Sequence, residues 1–252
     1  MISISYNYCS NDIEFLDQAL NEAVKVSNDI HITYVDHFFD GRIEDQSLLV
    51  ETRKIIGNRA FLHELQFDPN YATQRQGGEL GFRFWHNLCR INNTIHSKHS
   101  HVLYLDADEV LSGDDMRNWV ASLDLSKVSS CVFLVYFYFR SKKFRAKTWE
   151  LGPVLSNRNL LSQQDLMSDH ERWTLVKPPY MRDVVSLEGR PMIHHFSWAK
   201  GSSDQECKAY LLRKVSSWSH AKDRDWTQLI EEEFSRSFNG KDFVHGYEYE
   251  VI

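Results

Sequence analysis

Three carboxylates follow an apolar run in the stretch HVLYLDADEVL, residues 101–111: Asp106, Asp108 and Glu109. The apolar, β-prone run predicts a buried strand that ends at these carboxylates. In extended chain Asp106 and Asp108 point to the same side, with the small Ala107 between them. Two carboxylates placed in this way can hold a hard cation such as Mg²⁺ or Mn²⁺, which takes its remaining ligands from water or phosphate. We therefore expect Asp106 and Asp108 to bind a divalent metal ion.

Other interpretations of the acidic stretch are open. The carboxylates could cap a turn or a helix after the strand, because short D-x-D strings are common. A calcium-binding loop would need glycine at its sixth position and an acid at its twelfth, where this chain has Leu111 and Arg117. A phosphatase of the haloacid-dehalogenase type also has a strand that ends in D-x-D, and it would use Asp106 as the nucleophile. That strand normally opens its domain, whereas here a β-α-β unit precedes it.

The composition predicts a chain with a substantial core and no general affinity for polyanions. Of its 252 residues, 42% are hydrophobic, which suits one large domain or one domain with an appendage. The four cysteines form no CxxC pair, so a zinc knuckle or a disulfide framework is not expected. No apolar run reaches the roughly 20 residues of a membrane span, and the first residues lack signal-peptide features. The net charge of −6 gives no general attraction to nucleic acid or an anionic membrane. Because the cysteine usage fits a reducing setting, we expect a cytoplasmic protein of a bacterial or virus-infected cell.

The periodicity of the chain predicts alternating strands and helices. A strand at residues 1–8, a helix from Ile13 to Val24 and a strand at 31–36 form a β-α-β start. Such a start predicts a parallel sheet with its site at the carboxyl ends of the strands. The other predicted elements are helices at 46–57, 77–96, 203–220 and 225–238, strands at 101–106, 128–139, 149–161 and 190–198, and an ambiguous segment at 61–67. We expect one domain at 1–200, with a helical extension at 201–252 packed on it.

Several segments together resemble one enzyme family. YLDADEVL resembles the D-x-D motif of GT-A glycosyltransferases, particularly family 2-like enzymes, in which a strand ends in D-x-D and glutamate often follows. ITYVDHFFDG is similar to their second strand, whose last aspartate, here Asp36, contacts the nucleotide base. ISISYNY is similar to their first strand, which would put Ser5, Tyr6 and Asn7 beside that base. The late segment HHFSW, followed by SWSH and DW, resembles small stand-alone members. The usual D-D-x-S after the second strand is replaced here by DHFFD, residues 36–40.

This resemblance covers most of the chain and implies both a fold and an activity. The fold would be α/β, a GT-A (nucleotide-diphospho-sugar transferase) Rossmann-like mixed sheet with C-terminal helices. The activity would be transfer of a sugar from a nucleoside-diphosphate sugar, with UDP favoured, to an acceptor hydroxyl. The metal, Mn²⁺ or Mg²⁺, would be held by Asp106, Asp108 and a late histidine, with His195 favoured over His194. A module that binds nucleotide sugars without turnover is a further alternative.

Sugar transfer with inversion also needs a carboxylate base near the acceptor hydroxyl. The candidates between the D-x-D strand and the histidines are Glu150, Asp169 and Glu171. A retaining enzyme would need no such base, so the stereochemistry stays open. Glu79 and Arg83, on the helix before the D-x-D strand, are candidates to face the sugar or its phosphates.

The densest basic stretch of the chain suggests where an acceptor could bind. Its members are Arg140, Lys142, Lys143, Arg145 and Lys147, with aromatic residues on either side. Basic residues interleaved with aromatics can bind a nucleic-acid backbone and stack a base. The acceptor could then be a hydroxymethylated base in phage-type DNA, turned out of the helix. A glycan or small-molecule acceptor is an equal alternative. Trp198 and His220 are further candidates for acceptor or phosphate contacts.

Overall fold

The computed structural model describes residues 1–36, 43–66, 81–168, 172–216 and 224–252, and for residues 81–83 and 216 it describes the backbone alone. In these ranges ten strands form one mixed sheet. The strands are β1 Ser3–Asn7, β2 Ile30–Val35, β3 Phe61–Leu65, β4 His101–Asp106, β5 Glu109–Leu111, β6 Ser130–Phe139, β7 Ser141–Asn157, β8 Tyr180–Val184, β9 Ile193–Trp198 and β10 Tyr249–Val251.

Helices cover the sheet and connect its strands. They are α1 Ile13–Ala23, α2 Gln46–Ile56, α3 Gly81–His96, α4 Gly113–Ser122, α5 Gln163–Leu166, α6 Asp204–Ser216 and α7 Trp226–Phe234. The α1 helix buries Phe15, Leu16 and Leu20, which its amphipathic sequence places on one face. The α2 helix begins where the Asp45 side chain accepts a hydrogen bond from the Ser47 backbone N–H.

The first half of the sheet is parallel and has the order β3-β2-β1-β4. Every residue of β1 and β2 is buried, because helices lie on both faces of this half. The register pairs Asn7 at the end of β1 with Asp106 at the end of β4. The carboxyl ends of these central strands therefore meet at the acidic stretch.

The second half of the sheet is mixed and brings a late strand back to the acidic stretch. The strand β7 lies antiparallel beside β4, followed in order by β6, β9 and β5. The short β5 begins directly after Asp108 and pairs antiparallel with β9, so that Glu109 lies opposite His195. Because β6 pairs parallel with β9, Phe137 lies on the other side of His195.

The C-terminal segment packs on this second half. Phe137, Phe139 and Trp198 from the sheet join Leu211 of α6 and Ile230 of α7 in one buried cluster. The strand β10 pairs antiparallel with β7, with Glu250 opposite Arg145. No helix in the described ranges is long and apolar enough to cross a membrane.

The predicted α/β class, with a mixed sheet and C-terminal helices, is confirmed by this strand order. The ambiguous segment 61–67 contains the strand β3. The basic stretch at 140–147 is not a separate loop, because β7 runs from Ser141 to Asn157. Five of these elements were not predicted: the short strands β5, β8 and β10, and the helices α4 and α5.

Candidate active site

The acidic stretch is held at the carboxyl end of β4 by its parallel neighbour. The Asn7 side-chain amide donates a hydrogen bond to Asp106 Oδ1 at 3.2 Å, and the Ala107 backbone N–H donates to the Asn7 carbonyl oxygen at 3.0 Å. Of the three predicted first-strand residues, only Asn7 reaches the carboxylates. Ser5 and Tyr6 are buried: the Ser5 hydroxyl accepts a hydrogen bond from Asn93, and the Tyr6 hydroxyl donates to the Ala19 carbonyl.

Asp106 lies among protein cations. Its Oδ1 is 3.7 Å from His86 Nε2, and its Oδ2 is 3.7 Å from a terminal nitrogen of Arg172. Burial alone would raise the pKa of Asp106, but the positive charge of Arg172 and the contact with His86 hold that pKa well below its ordinary value. Asp106 is therefore ionised and its charge is compensated by the protein.

The negative charge of Asp108 is compensated much less by neighbouring positive groups. It is 6% exposed, and its Oδ1 has no hydrogen-bond partner among the described residues. His195 Nε2 lies 3.8 Å from Oδ1 and Lys214 Nζ lies 3.9 Å from Oδ2, both beyond hydrogen-bonding distance. Burial, together with the negative charge of Asp12, raises the pKa of Asp108 to about 6 although the two cations oppose this. The ionised form of Asp108 is thus costly until a further cation joins it.

Glu109, the third carboxylate, is a structural part of the turn. It is fully buried, and both of its oxygens accept hydrogen bonds from Arg172, at 2.5 and 2.6 Å. The Asp106 backbone N–H also donates to Glu109 Oε2 at 2.7 Å. Glu109 therefore fixes both the backbone of the acidic turn and the guanidinium that faces Asp106.

The structure separates the two late histidines. The His195 side chain is on the face of β9 that is turned toward Asp108. The His194 side chain points to the opposite face, because neighbouring side chains alternate along a strand. Both ring nitrogens of His194 are hydrogen-bonded, one to the Tyr138 hydroxyl at 2.7 Å and the other to the Ser112 hydroxyl at 3.3 Å. Burial lowers the pKa of His194 to about 4. Of the pair, the structure brings only His195 to the carboxylates.

Further residues around Asp12 and Asp108 were not found by sequence reasoning. Lys200 and Tyr210 both donate to Asp12 Oδ1, each at 3.3 Å, and Lys200 is 7% exposed. Lys214 on α6 donates to the carbonyl oxygen of Ser197 at 3.0 Å and to its hydroxyl. These side chains lie almost 200 residues apart along the chain from Asp12, so no local spacing pattern could have indicated that they meet.

The remaining predicted site residues lie in different parts of the chain. Glu150 lies on β7 with its side chain 18% exposed. Asp36 follows β2 at the carboxyl edge of the sheet, where its backbone carbonyl accepts a hydrogen bond from the Glu44 N–H. Trp198 is buried in the C-terminal cluster. The residues that lie outside the described ranges, or whose side chains do, are Glu79, Arg83, Asp169, Glu171 and His220, with the segment 37–40.

The basic stretch is largely paired with carboxylates. Arg140 is buried against Asp204 and Glu233. Three other members also have acidic partners: Lys142 with Glu14 at 3.1 Å, Arg145 with Glu250 at 2.6 Å and Lys147 with Glu248 at 3.1 Å. Most of the positive charge that suggested a polyanion-binding surface is thus compensated within the chain.

The donor set at the acidic turn is compatible with a divalent cation. Among the described residues no three His, Cys, Asp or Glu side chains already form a complete metal-binding group. Two ligands of one octahedral Mg²⁺ or Mn²⁺ ion, each about 2.1 Å from it, lie roughly 3 to 4 Å apart. The separation of 3.8 Å between Asp108 Oδ1 and His195 Nε2 lies in this range. Such ions commonly use one or two protein ligands and take the others from substrate phosphates.

Comparison with known proteins gives loose structural likenesses. No protein-family model and no curated protein matches this chain. Among solved structures, the glycosyltransferase GlyE of Streptococcus pneumoniae TIGR4 is similar over 92% of this chain and 63% of its own, with 14% identity and a TM-score of 0.42. Residues 1–349 of S. aureus TarS, in complex with UDP, are similar over 100% of this chain and 96% of their own, with 14% identity and a TM-score of 0.46.

The bifunctional glycosyltransferase WbbM is similar over 92% of this chain and 51% of its own, with 8% identity and a TM-score of 0.45. This chain therefore spans about two thirds of GlyE and half of WbbM. At these identities and TM-scores the likenesses carry no argument about activity. The function proposed next depends on the chain's own residues.

Proposed function

We propose that this protein is a metal-dependent glycosyltransferase of the GT-A type, which moves a sugar from a nucleoside-diphosphate sugar to an acceptor hydroxyl. The observation that carries the proposal is Asp108, a buried carboxylate at the carboxyl edge of the sheet. Its Oδ1 faces His195 and has no hydrogen-bond partner among the described residues. A divalent cation supplies the positive charge that this oxygen lacks. Asp106 and Asn7 lie beside it, at the end of a strand pair where α/β sheets commonly bind nucleotides.

The residues around the acidic turn then have distinct roles. When bound, the ion stabilises the negative charge that develops on the departing diphosphate. Asp108 and His195 hold the ion, and Asp106 faces the ribose or the phosphates. Lys214, 3.9 Å from Asp108, and Lys200, 3.3 Å from Asp12, add positive charge for the diphosphate. UDP is the favoured nucleotide, with Asp36 and Asn7 at the nucleoside end.

For the acceptor we favour a hydroxyl of a glycan or small molecule over a DNA base. The ion pairs of Arg140, Lys142, Arg145 and Lys147 with carboxylates support this preference, because a duplex would have to displace them. Salt-sensitive binding of duplex DNA, lost when Lys142, Lys143 and Arg145 are changed to Ala, would instead support the DNA acceptor.

Thermal unfolding with UDP and Mn²⁺ tests the proposal. A ligand that binds only the folded protein raises its melting temperature by mass action. We expect stabilisation by UDP and Mn²⁺ together, its loss in EDTA, and its loss in Asp108→Ala. Asp124→Ala removes an exposed carboxylate and serves as the matched control. The same variants are then assayed for UDP release from a panel of UDP-sugars.

Several outcomes would overturn the proposal. Equal stabilisation by UDP in EDTA, or full UDP release by Asp108→Ala, would remove the metal role. Binding of UDP without release from any donor sugar would favour a non-catalytic binding module. Release of phosphate from simple phosphomonoesters, with a covalent phosphate on Asp106, would favour the phosphatase.

A further inference from the structure

A segment after α7, residues 242–247, is fixed by one buried carboxylate. Asp242 is 3% exposed, and its Oδ1 accepts hydrogen bonds from the backbone N–H groups of His245 at 2.6 Å and Gly246 at 3.2 Å. Its Oδ2 accepts from the Tyr247 backbone N–H at 3.1 Å and from the Tyr249 hydroxyl at 2.9 Å. Four hydrogen bonds to one carboxyl group hold a non-repetitive segment in a defined shape.

This segment presents two side chains to Glu150. His245 Nδ1 lies 3.8 Å from Glu150 Oε1, which is ion-pair distance when the imidazole is protonated. The Tyr247 hydroxyl also lies against this carboxylate, and burial together with that contact raises the pKa of Tyr247 to about 12. Tyr247 is therefore protonated at neutral pH and can donate a hydrogen bond. The rings of His245 and Tyr247 stack at 5.1 Å, which restricts both.

The same segment is connected to the metal end of the site. The Phe137 ring makes T-shaped contacts with the His245 ring and the His195 ring, at centroid distances of 4.9 and 5.5 Å. One aromatic ring therefore lies between the two imidazoles. Glu150 precedes Gly152 by two residues on β7, where a Cβ atom on Gly152 would lie 3.8 Å from Glu109 Oε1. Glu150 therefore lies on β7 two residues from the glycine that packs beside Glu109, the carboxylate that fixes the acidic turn.

We propose that His245 and Tyr247 are positioning residues that hold the Glu150 carboxylate as the general base toward the acceptor, an inference that rests on the proposed glycosyl transfer. In this step the acceptor O–H proton passes to Glu150, and the acceptor oxygen forms a bond to the anomeric carbon. The bond from that carbon to the diphosphate breaks on the opposite side, and its electron pair leaves with the nucleoside diphosphate. The sugar is transferred with inversion.

A pair of acceptors separates a base-positioning role from a structural one. UDP release from UDP-glucose, UDP-galactose and UDP-N-acetylglucosamine is measured with Mn²⁺, first with water as the acceptor and then with sodium azide. Water must lose a proton, whereas the azide anion has none to lose and gives a glycosyl azide without a base. We expect Glu150→Ala to lose the water reaction and to regain UDP release with azide.

Variants of the positioning residues should show the same difference between the water and azide reactions, with a smaller loss. His245→Gln and Tyr247→Phe should each lower the water reaction by about 10-fold and leave the azide reaction and Mn²⁺–UDP binding unchanged. His99→Gln and Tyr180→Phe are the matched controls, on partly exposed or exposed residues away from Glu150. The inference would be overturned if the His245→Gln and Tyr247→Phe variants still bind Mn²⁺ and UDP but lose the water reaction and the azide reaction equally. Absence of that binding in the unaltered protein would overturn the proposed function as well.

Discussion

At the scale of single residues, the two aspartates of the acidic turn differ although they are almost adjacent in the chain. Asp106 is matched by Arg172, His86 and Asn7, and its pKa is held well below the ordinary value. Asp108 is buried, its Oδ1 has no hydrogen-bond partner in the described part of the chain, and burial raises its pKa to about 6. The spacing of the pair was readable from the sequence, but this asymmetry depends on which distant cations approach each carboxylate.

The asymmetry predicts a trade between stability and ligand binding. Asp108→Asn keeps the shape of the side chain and removes its charge, so we expect the ligand-free protein to unfold with a free energy higher by about 1 to 3 kcal/mol at neutral pH. The same variant should lose the stabilisation by UDP and Mn²⁺. Urea unfolding with and without ligand measures both effects. Asp114→Asn, on an exposed carboxylate of α4, is the control, and a less stable Asp108→Asn protein would contradict the prediction.

At the scale of secondary-structure elements, β2, β3 and α3 bring three histidines together at the far edge of the parallel strands. His31 Nδ1 lies 3.0 Å from His63 Nε2, and the ring of His63 stacks on that of His96 at 4.3 Å. Asp29 contacts His31 Nε2 at 3.1 Å, and Lys98 lies nearby over the Phe61 ring. Burial, followed by the charges that His96 and His31 would carry, lowers the pKa of His63 to about 4.

This cluster predicts a loss of stability in acid. Between about pH 6.5 and pH 4 the unfolded chain protonates His63 and the folded chain does not, so stability is complete above this window and falls as the pH decreases through it. His63→Gln should reduce the slope of the unfolding free energy against pH in this window, by an amount that corresponds to at most one proton per molecule. His99→Gln is the control. Urea unfolding at intervals between pH 4 and 7 provides the measurement, and identical slopes in both variants would contradict the prediction.

At the scale of the whole molecule, one buried arginine connects the sheet to the C-terminal helices. Arg140, between β6 and β7, is 3% exposed and contacts Asp204 of α6 at 2.5 Å and Glu233 of α7 at 3.4 Å. Its backbone N–H donates to the Trp198 carbonyl, and its φ of 65° lies in the left-handed region. The structure thus gives Arg140 a structural role, although the sequence suggested an acceptor contact.

Removal of this arginine should destabilise the whole chain. Arg140→Ala removes the buried partner of Glu233 and leaves that carboxylate to the exposed Arg236, 3.3 Å away. Breaking a buried ion pair costs about 3 to 5 kcal/mol. Lys143→Ala, in the same basic stretch, should change the free energy of unfolding by less than about 0.5 kcal/mol. Urea unfolding of both variants tests this, and similar effects of the two substitutions would contradict the structural role.

The sequence alone determined the local elements and the carboxylates. Apolar runs and helical spacing predicted β1, α1, β2, α3, β4, β6 and β9, because a buried strand or an amphipathic helix shows its period within a few residues. The same reasoning placed Asp106 and Asp108 together at the end of β4. It also favoured His195, on the family resemblance, but could not separate it from His194 by its surroundings.

Only the tertiary structure decided which distant residues complete the site. Strand pairing puts His195 opposite Glu109 and Phe137, and the packing of α6 brings Lys214 to Asp108. Arg172 on Glu109 and His245 beside Glu150 join parts of the chain that share no local pattern. The hydrophobic periodicity of a segment indicates which face of a helix or strand is buried. Register and the path of the chain between strands, which depend on the summed packing of the whole core, determine what that face meets.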